Sequence, residues 1–457
     1  MNGTAPLFES QRREVIDEII VKMRAGRIKR RTFLEQALAI GISGGAALSL
    51  LEACEDSTPN AGSKTVNLIW QSENELPILS YQQLVDDFNN QNKAIHVIHQ
   101  SVLSNTAGTT DLERGVLRKK STAIDVMSID IIRVAEFAEN RWITPITETQ
   151  WPLSEQAKYL PGPIKGCTFK DKLWAAPFRT DVGLIYYRTD IVSTPPISWI
   201  DLVNIAQAHK PPPRCGYVWQ GAQYEGLVCN FIEVLYGYGG TILDPEDSTR
   251  VTVNRPEAIQ ALTEMVSWIG SITPTDVIKF YTEDNAISTF KDGNAIFMRN
   301  WPRVYANCND PQSSVIGKFD IHPMLYDPAY TNIGHSCIGG WQLAINAFIS
   351  DEKKAAAWEF IKYMLSPRAQ KIAATKASWA VTLQSIYDDP DVLKQVPLFK
   401  QLKPILQTAL PRPVTPKYSE VTRAIQIQVH QALEGKKSPT DALNELASDL
   451  TDILRSP

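Results

Sequence analysis

Cys54 is the residue whose neighbours most clearly prepare it for chemistry. It ends the stretch Leu51-Glu52-Ala53-Cys54, directly after an uncharged, Gly/Ala-rich run from Ala37 to Leu51. A small residue before the cysteine fits a signal peptidase, and the thiol that follows accepts a diacylglycerol. Upstream, Lys29-Arg30-Arg31-Thr32-Phe33-Leu34 looks like a twin-arginine export signal, with the general export route as the alternative. The apolar run is 15 residues long, short of the roughly 20 that a spanning helix needs. Residues 1–53 therefore read as a lipoprotein signal, and 54–64 as a polar tether to a lipid on the outer face of the cytoplasmic membrane. Arg-Arg pairs also arise by chance, and a buried cysteine is ordinarily a small hydrophobe; the ordered combination decides. Ahead of the signal, Val15, Ile19, Ile20 and Met23 recur at helical spacing among charges, as in a long n-region or a regulatory helix.

Other chemistry finds no support. Glu434-Gly435-Lys436-Lys437-Ser438 approaches a nucleotide-binding loop but lacks the upstream glycine, so the chain does not hydrolyse ATP. Gly41-Ile42-Ser43-Gly44-Gly45 has the spacing of a nucleophile elbow, yet it lies within the signal's apolar run, where no strand-turn-helix forms. Six histidines form no metal-ligand cluster, and Cys167, Cys215, Cys229, Cys308 and Cys337 match no zinc spacing, so neither metal nor cofactor is expected. Five mature cysteines are an odd number, and sequence cannot choose a disulfide pair among them. The formal charge of −4 divides into +2 for residues 1–53 and −6 for the remainder, which argues against nucleic acid as partner.

What remains is a mixture of aromatic side chains beside Gly, Asp, Glu and Arg in several separated stretches. Sugars use that mixture: their CH faces stack on Trp or Tyr, and their hydroxyls pair with carboxylates and guanidinium groups. Such segments are also ordinary core. The elements that carry them read as α/β. Thr65 to Trp70 forms a buried strand, Leu79 to Asn90 an amphipathic helix and Ala94 to Val102 a second strand, so the fold starts β-α-β with a parallel sheet. Strands follow at Ala123–Ile129, Gly183–Tyr187 and Gln342–Asn346, with an edge segment at Leu173–Phe178. Helices follow at Val134–Asn140, Pro256–Ile269 and Lys353–Leu365, and helical periodicity from Tyr418 to Leu454 breaks at Gly435. At 457 residues and 44% hydrophobic, the chain can build two to three domains, and no segment after the signal is apolar enough to span a membrane.

Several blocks, taken together, resemble the family 1 extracellular solute-binding proteins, and within them the trehalose/maltose-binding branch. These are Gly216 through Cys229 (GYVWQGAQYEGLVC), Gly239-Gly240, Gly293-Asn294-Ala295 running to Arg299-Asn300-Trp301-Pro302, Ile338-Gly339-Gly340-Trp341 and Pro411-Arg412-Pro413. The resemblance covers Thr65 to Leu454. It implies a two-lobed, type II periplasmic-binding-protein-like fold in which hinge closure over an interlobe cleft traps the ligand. The crossings fall near Asp181, Trp341 and Ser378, giving lobe 1 residues 65–181 and 342–378, and lobe 2 residues 182–341 and 379–457. It also implies a monomer that binds a sugar and delivers it to permease subunits served by a separate ATPase.

Carried over by position, the resemblance gives ligand carboxylates at Glu75, Asp130 and Asp181, stacking rings at Trp301 and Trp341, close-approaching backbone at Gly339 and Gly340, and a sugar-reaching guanidinium at Arg412. Each has a plainer alternative. Asp130 could cap the next helix, Glu75 could be a solvated loop residue, Trp301 could be core, the glycines could serve a tight turn, and Arg412 could pair with an acid across the lobes. The long Gly216 block reads chiefly as packing, with Trp219 and Tyr224 as weaker cleft candidates. The chain departs from the branch where Arg179 and Arg303 replace tyrosines and Thr110 replaces an arginine. Those changes add Arg179 and Arg303 to the site and leave open a different sugar, a polyol or an anionic or phosphorylated sugar. A glycoside hydrolase using two of these carboxylates is the reading from another class; nothing in the sequence pairs them.

If Cys54 carries the anchor, Cys54→Ala protein should leave the membrane fraction and appear in the supernatant. A variant that still sediments with membranes contradicts the assignment.

Overall fold

Trp70, Leu68 and Ser72 point alternately inward from the first strand, β1 (Val66–Glu73), and the chain builds outward from it. The structure, a computed structural model, describes residues 65–457 apart from 74–78, 103–105, 210–214, Ser248 and Pro457. The signal, tether and Cys54 lie outside the described residues, as does Glu75.

After β1 come α1 (Leu79–Gln91), β2 (Ile95–Val102), α2 (Thr106–Arg118) and β3 (Val126–Asp130), followed by a single turn and the short α3 (Val134–Glu139). β1 lies parallel to β2 from Val66 opposite Ile95 to Glu73 opposite Val102, and parallel to β3 on its other side. β12 (Trp341–Ile345) returns much later to close this sheet antiparallel to β3, with Trp341 opposite Asp130. The order is β12-β3-β1-β2. All five residues of β3 are buried, as expected of a strand covered on both faces. A small hairpin, β4 (Thr168–Phe169) and β5 (Lys172–Leu173), stands apart from both larger sheets.

The second sheet has the order β10-β7-β9-β8 and uses β7 (Leu184–Arg188), β8 (Cys215–Val218), β9 (Ala295–Asn300) and β10 (Phe319–His322). Its helices include α4 (Glu225–Gly237), α5 (Pro256–Trp268) and α6 (Glu283–Lys291). α5 opens on its proline, where a missing N–H costs nothing. Between the two sheets lies a three-stranded ribbon, β13-β11-β6, made of β6 (Asp181–Val182), β11 (Cys337–Gly339) and β13 (Leu410–Pro411). These strands are the crossings. One apolar cluster runs from the first sheet through Val182 into Leu184 and Tyr186, so the pivot is packed rather than hollow.

Of the three positions at which the sequence expects crossings, Asp181 begins β6 and Trp341 begins β12, whereas Ser378 lies in no strand. Ser378 only ends a helix, in left-handed conformation with φ of 54°, after α7 (Asp351–Leu365) and α8 (Pro367–Ala377). The chain then stays with the first sheet's core through Trp379, Tyr387 and α9 (Leu398–Thr408), which buries Leu398, Phe399, Leu402, Ile405 and Leu406. Crossing occurs at Leu410–Pro411. Beyond it, α10 (Tyr418–Leu433) and α11 (Pro439–Arg455) pack on α4 and α5, separated by Gly435 at φ of 71°. Among the described residues no helix is long and apolar enough to cross a membrane.

Gly340, at the junction of β11 and β12, has φ of 117°, and a Cβ there would stand 2.4 Å from the Arg179 carbonyl oxygen and 2.6 Å from Thr180 Cα. Its own carbonyl accepts the Ile131 N–H at 3.0 Å. Gly340→Ala should therefore lose about 2 kcal/mol or more of unfolding free energy in urea titration. An unchanged midpoint would show that the crossing tolerates a side chain.

Candidate functional site

Asp130 ends β3 and is 8% exposed. Its carboxylate accepts the Ile132 N–H at 3.3 Å, capping the turn that follows, and also lies 3.3 Å from Arg412 Nη2. The capping and binding alternatives for Asp130 are therefore compatible. Arg412 follows the last crossing strand. Its Nη1 donates to Glu225 Oε1 at 2.7 Å, and its Nη2 also donates to the Ile338 carbonyl at 3.4 Å. Glu225 is the first residue of α4, where the helix dipole favours negative charge, and it further accepts from the Tyr418 hydroxyl at 2.6 Å and the Thr422 hydroxyl at 2.5 Å. One guanidinium thus holds an acid from the first sheet and an acid from the second lobe.

Burial raises the Asp130 pKa, and Arg412 opposes that rise. Burial also disfavours the charge on Arg412, but Cys229, Asp130, Tyr418 and Glu225 around it outweigh that and hold the guanidinium protonated. A parallel set of contacts sits on α2 and α3: Arg114 pairs with Glu136 at 2.6 Å, and Arg133 Nη1 donates to the Ser419 hydroxyl of α10, also at 2.6 Å. Glu113 on α2 is buried, with neither carboxylate oxygen hydrogen-bonded among the described residues. Burial first, then repulsion from Glu73, pushes its pKa well up.

A second group forms around Trp301. A Cβ on Gly339 would lie 3.5 Å from the Trp301 ring and 3.4 Å from Asp181 Cβ, so these three converge where two crossing strands pair. The indole N–H donates to Glu283 at 3.2 Å, and Tyr224 donates to the other oxygen of the same carboxylate at 2.6 Å. Arg299 lies over the Trp301 ring at 3.9 Å. Arg299 is itself clamped by Glu233 through bonds of 2.7 and 2.6 Å and by Gln220 at 3.1 Å. Glu233 also accepts the Cys337 N–H at 3.1 Å, joining the clamp to the middle crossing strand.

Asp130, Asp181, Trp301, Gly339, Gly340, Trp341 and Arg412 therefore gather about the crossing strands. Arg303 begins the short helix after Trp301 and is partly buried. Arg179 differs from its expectation as a ligand contact: it is 1% exposed, lies 2.9 Å from Glu73 and sits over the Trp379 ring at 4.8 Å. Its charge is paired with Glu73, the last residue of β1. Trp219 is core, bonded to Thr273 at 3.2 Å and edge-on to Trp268. Glu225, Glu233, Glu283 and Tyr418 were not singled out from sequence. Glu225 lies inside the Gly216–Cys229 block and Tyr418 shortly after Pro411-Arg412-Pro413, which was the signal available for them.

Residues 57–401 match the bacterial extracellular solute-binding proteins. The chain belongs to that family. A probable ABC transporter-binding protein of Deinococcus radiodurans is 34% identical to this solute-binding protein over 352 residues, which are 74% of this chain and 81% of that one. Maltose-bound MalE3 of T. maritima is 33% identical, with a TM-score of 0.78 over 84% of this chain and 99% of the other. The ribitol-bound solute-binding protein of Agrobacterium radiobacter K84 is 22% identical, with a TM-score of 0.74 over 85% of this chain and 98% of that one, and shares the fold. The two-lobed type II architecture holds, and the family is one of exported solute-binding proteins.

Glu233→Ala would leave Arg299 buried beside Trp301 without its carboxylate. The variant should lose about 3 to 5 kcal/mol of unfolding free energy in urea. A loss below about 1 kcal/mol, the scale of an exposed pair, would mean the clamp does not hold the wall of the site.

Proposed function

We propose that this exported solute-binding protein is a lipid-anchored receptor of an ABC importer, and that it captures a sugar between its lobes and hands it to the permease. A disaccharide such as maltose or trehalose is the ligand favoured. The observation that carries this reading is the 33% identity to maltose-bound MalE3 across nearly all of that chain. The gathered side chains agree with it in chemistry. Trp301 offers a ring for a CH face, and Asp130, Asp181 and Glu283 offer acceptors for hydroxyls.

Arg412 and the three crossing strands supply the mechanism. Closure brings Asp130 of one lobe and Glu225 of the other onto a single cation, so ligand hydroxyls that bridge them are held only when both lobes engage. Opening exchanges polar contacts for water, a smaller cost than exposing apolar core. The separate reading of an anionic sugar loses one of its two supports, since Arg179 already faces Glu73.

Full-length protein titrated with maltose and trehalose should show saturable binding by Trp fluorescence and calorimetry, without turnover. Trp301→Ala should weaken that binding by about tenfold or more, the loss of roughly 1.4 kcal/mol of stacking. No heat and no quench with either disaccharide, but a response to ribitol or a sugar phosphate, would move the ligand to another solute class.

A further inference from the structure

Cys229 and Cys337 are placed for a reaction that solute capture does not use. Cys229 lies on the second turn of α4, and Cys337 begins β11, the middle crossing strand. Cys337 is the largest cause of the raised Cys229 pKa, so the two thiols are neighbours, and the residues are 1% and 0% exposed. A hydrogen bond from the Cys337 main chain brings β11 against the same helix. The Cys337 N–H donates to Glu233, which stands one helical turn beyond Cys229 on the same face of α4. Arg412 and Glu225 are the charged groups felt at the Cys229 thiol. Cys215, by contrast, is partly exposed and donates its thiol to the Asn294 carbonyl.

We infer that Cys229 and Cys337 form a thiol pair that is oxidised to an intramolecular disulfide by exchange with a small-molecule disulfide outside the cytoplasm. An exported chain meets an environment in which such bonds persist. The exchange runs in two steps. The Cys229 thiolate attacks one sulfur of the small disulfide, forms a mixed disulfide and releases the first small thiolate. The Cys337 thiolate then attacks the Cys229 sulfur and releases the second. The two protons lost by the cysteines end on the two small thiols; the protein is oxidised by two electrons and the small disulfide reduced by two. Burial and the partner thiol hold Cys229 protonated at rest, whereas Arg412 beside it favours the thiolate. Both thiols are buried, so the exchange requires an opening of the hinge that admits the reagent. The product fastens the middle crossing strand to α4, whose first residue Glu225 grips Arg412.

The test uses full-length protein, reduced, freed of reductant, incubated with oxidised glutathione, then alkylated in denaturant and digested. The expected result is an intact mass lower by two hydrogens before alkylation and a peptide pair joined through Cys229 and Cys337, with Cys167, Cys215 and Cys308, and any unlipidated Cys54, alkylated. Cys337→Ser protein, checked by its melting curve, should yield no internal cross-link. Recovery of Cys229 and Cys337 both alkylated, or of Cys229 joined to any other cysteine, overturns the assignment. Neither outcome depends on which solute the protein binds.

Discussion

Asp130 and Glu225 reach Arg412 from opposite lobes, and the arrangement of the hinge follows from satisfying that one buried cation. Its two nitrogens are divided between the lobes, with the Ile338 carbonyl of the middle crossing strand as a further acceptor. A buried ion pair is not in itself a source of stability, since desolvation offsets most of the attraction. Its value here is geometric. Removing either acid leaves the guanidinium short of a partner, so the two lobes have one well-defined way of meeting. Gly340 is required for the same reason: the strand after Ile338 turns so close to Arg179 and Thr180 that a Cβ has no room.

The Glu233–Arg299 clamp does for the second lobe what Arg412 does between lobes. It holds the Trp301 ring from behind and ties β11 to α4 through the Cys337 N–H. An aromatic platform for a sugar needs a fixed ring, because a mobile one loses side-chain entropy on binding. The GYVWQGAQYEGLVC block is consequently the scaffold of the site. Gln220 reaches Arg299, and Gly221 and Gly226 sit where a Cβ would meet Val277 and Tyr224.

Local rules made much of the fold legible in the sequence. Apolar and β-branched runs marked β1 and β2, and the helix read at Lys353–Leu365 forms as α7 behind a Ser350 cap. The block resemblance located Trp301, Gly339, Gly340 and Arg412 near one another. Long-range contacts were not legible. Arg179 reads as a cleft residue because it stands where related binders have a tyrosine, two positions before Asp181; its acid, Glu73, lies more than a hundred positions away. The family resemblance places the third crossing near Ser378; the amphipathic face of α9, which keeps the chain on the first core, is visible only once its partner surface is known. Likewise, five cysteines allowed no choice of pair until α4 and β11 were seen side by side.

The central claim is that one guanidinium couples the lobes through two acids. A double-mutant cycle read by calorimetry with maltose measures it directly, using Asp130→Asn, Glu225→Gln and the pair together. The account predicts non-additive losses, with a coupling of about 1 kcal/mol or more between two acids joined through Arg412. Strictly additive losses, within about 0.5 kcal/mol, would show that the lobes hold the ligand independently and would contradict it.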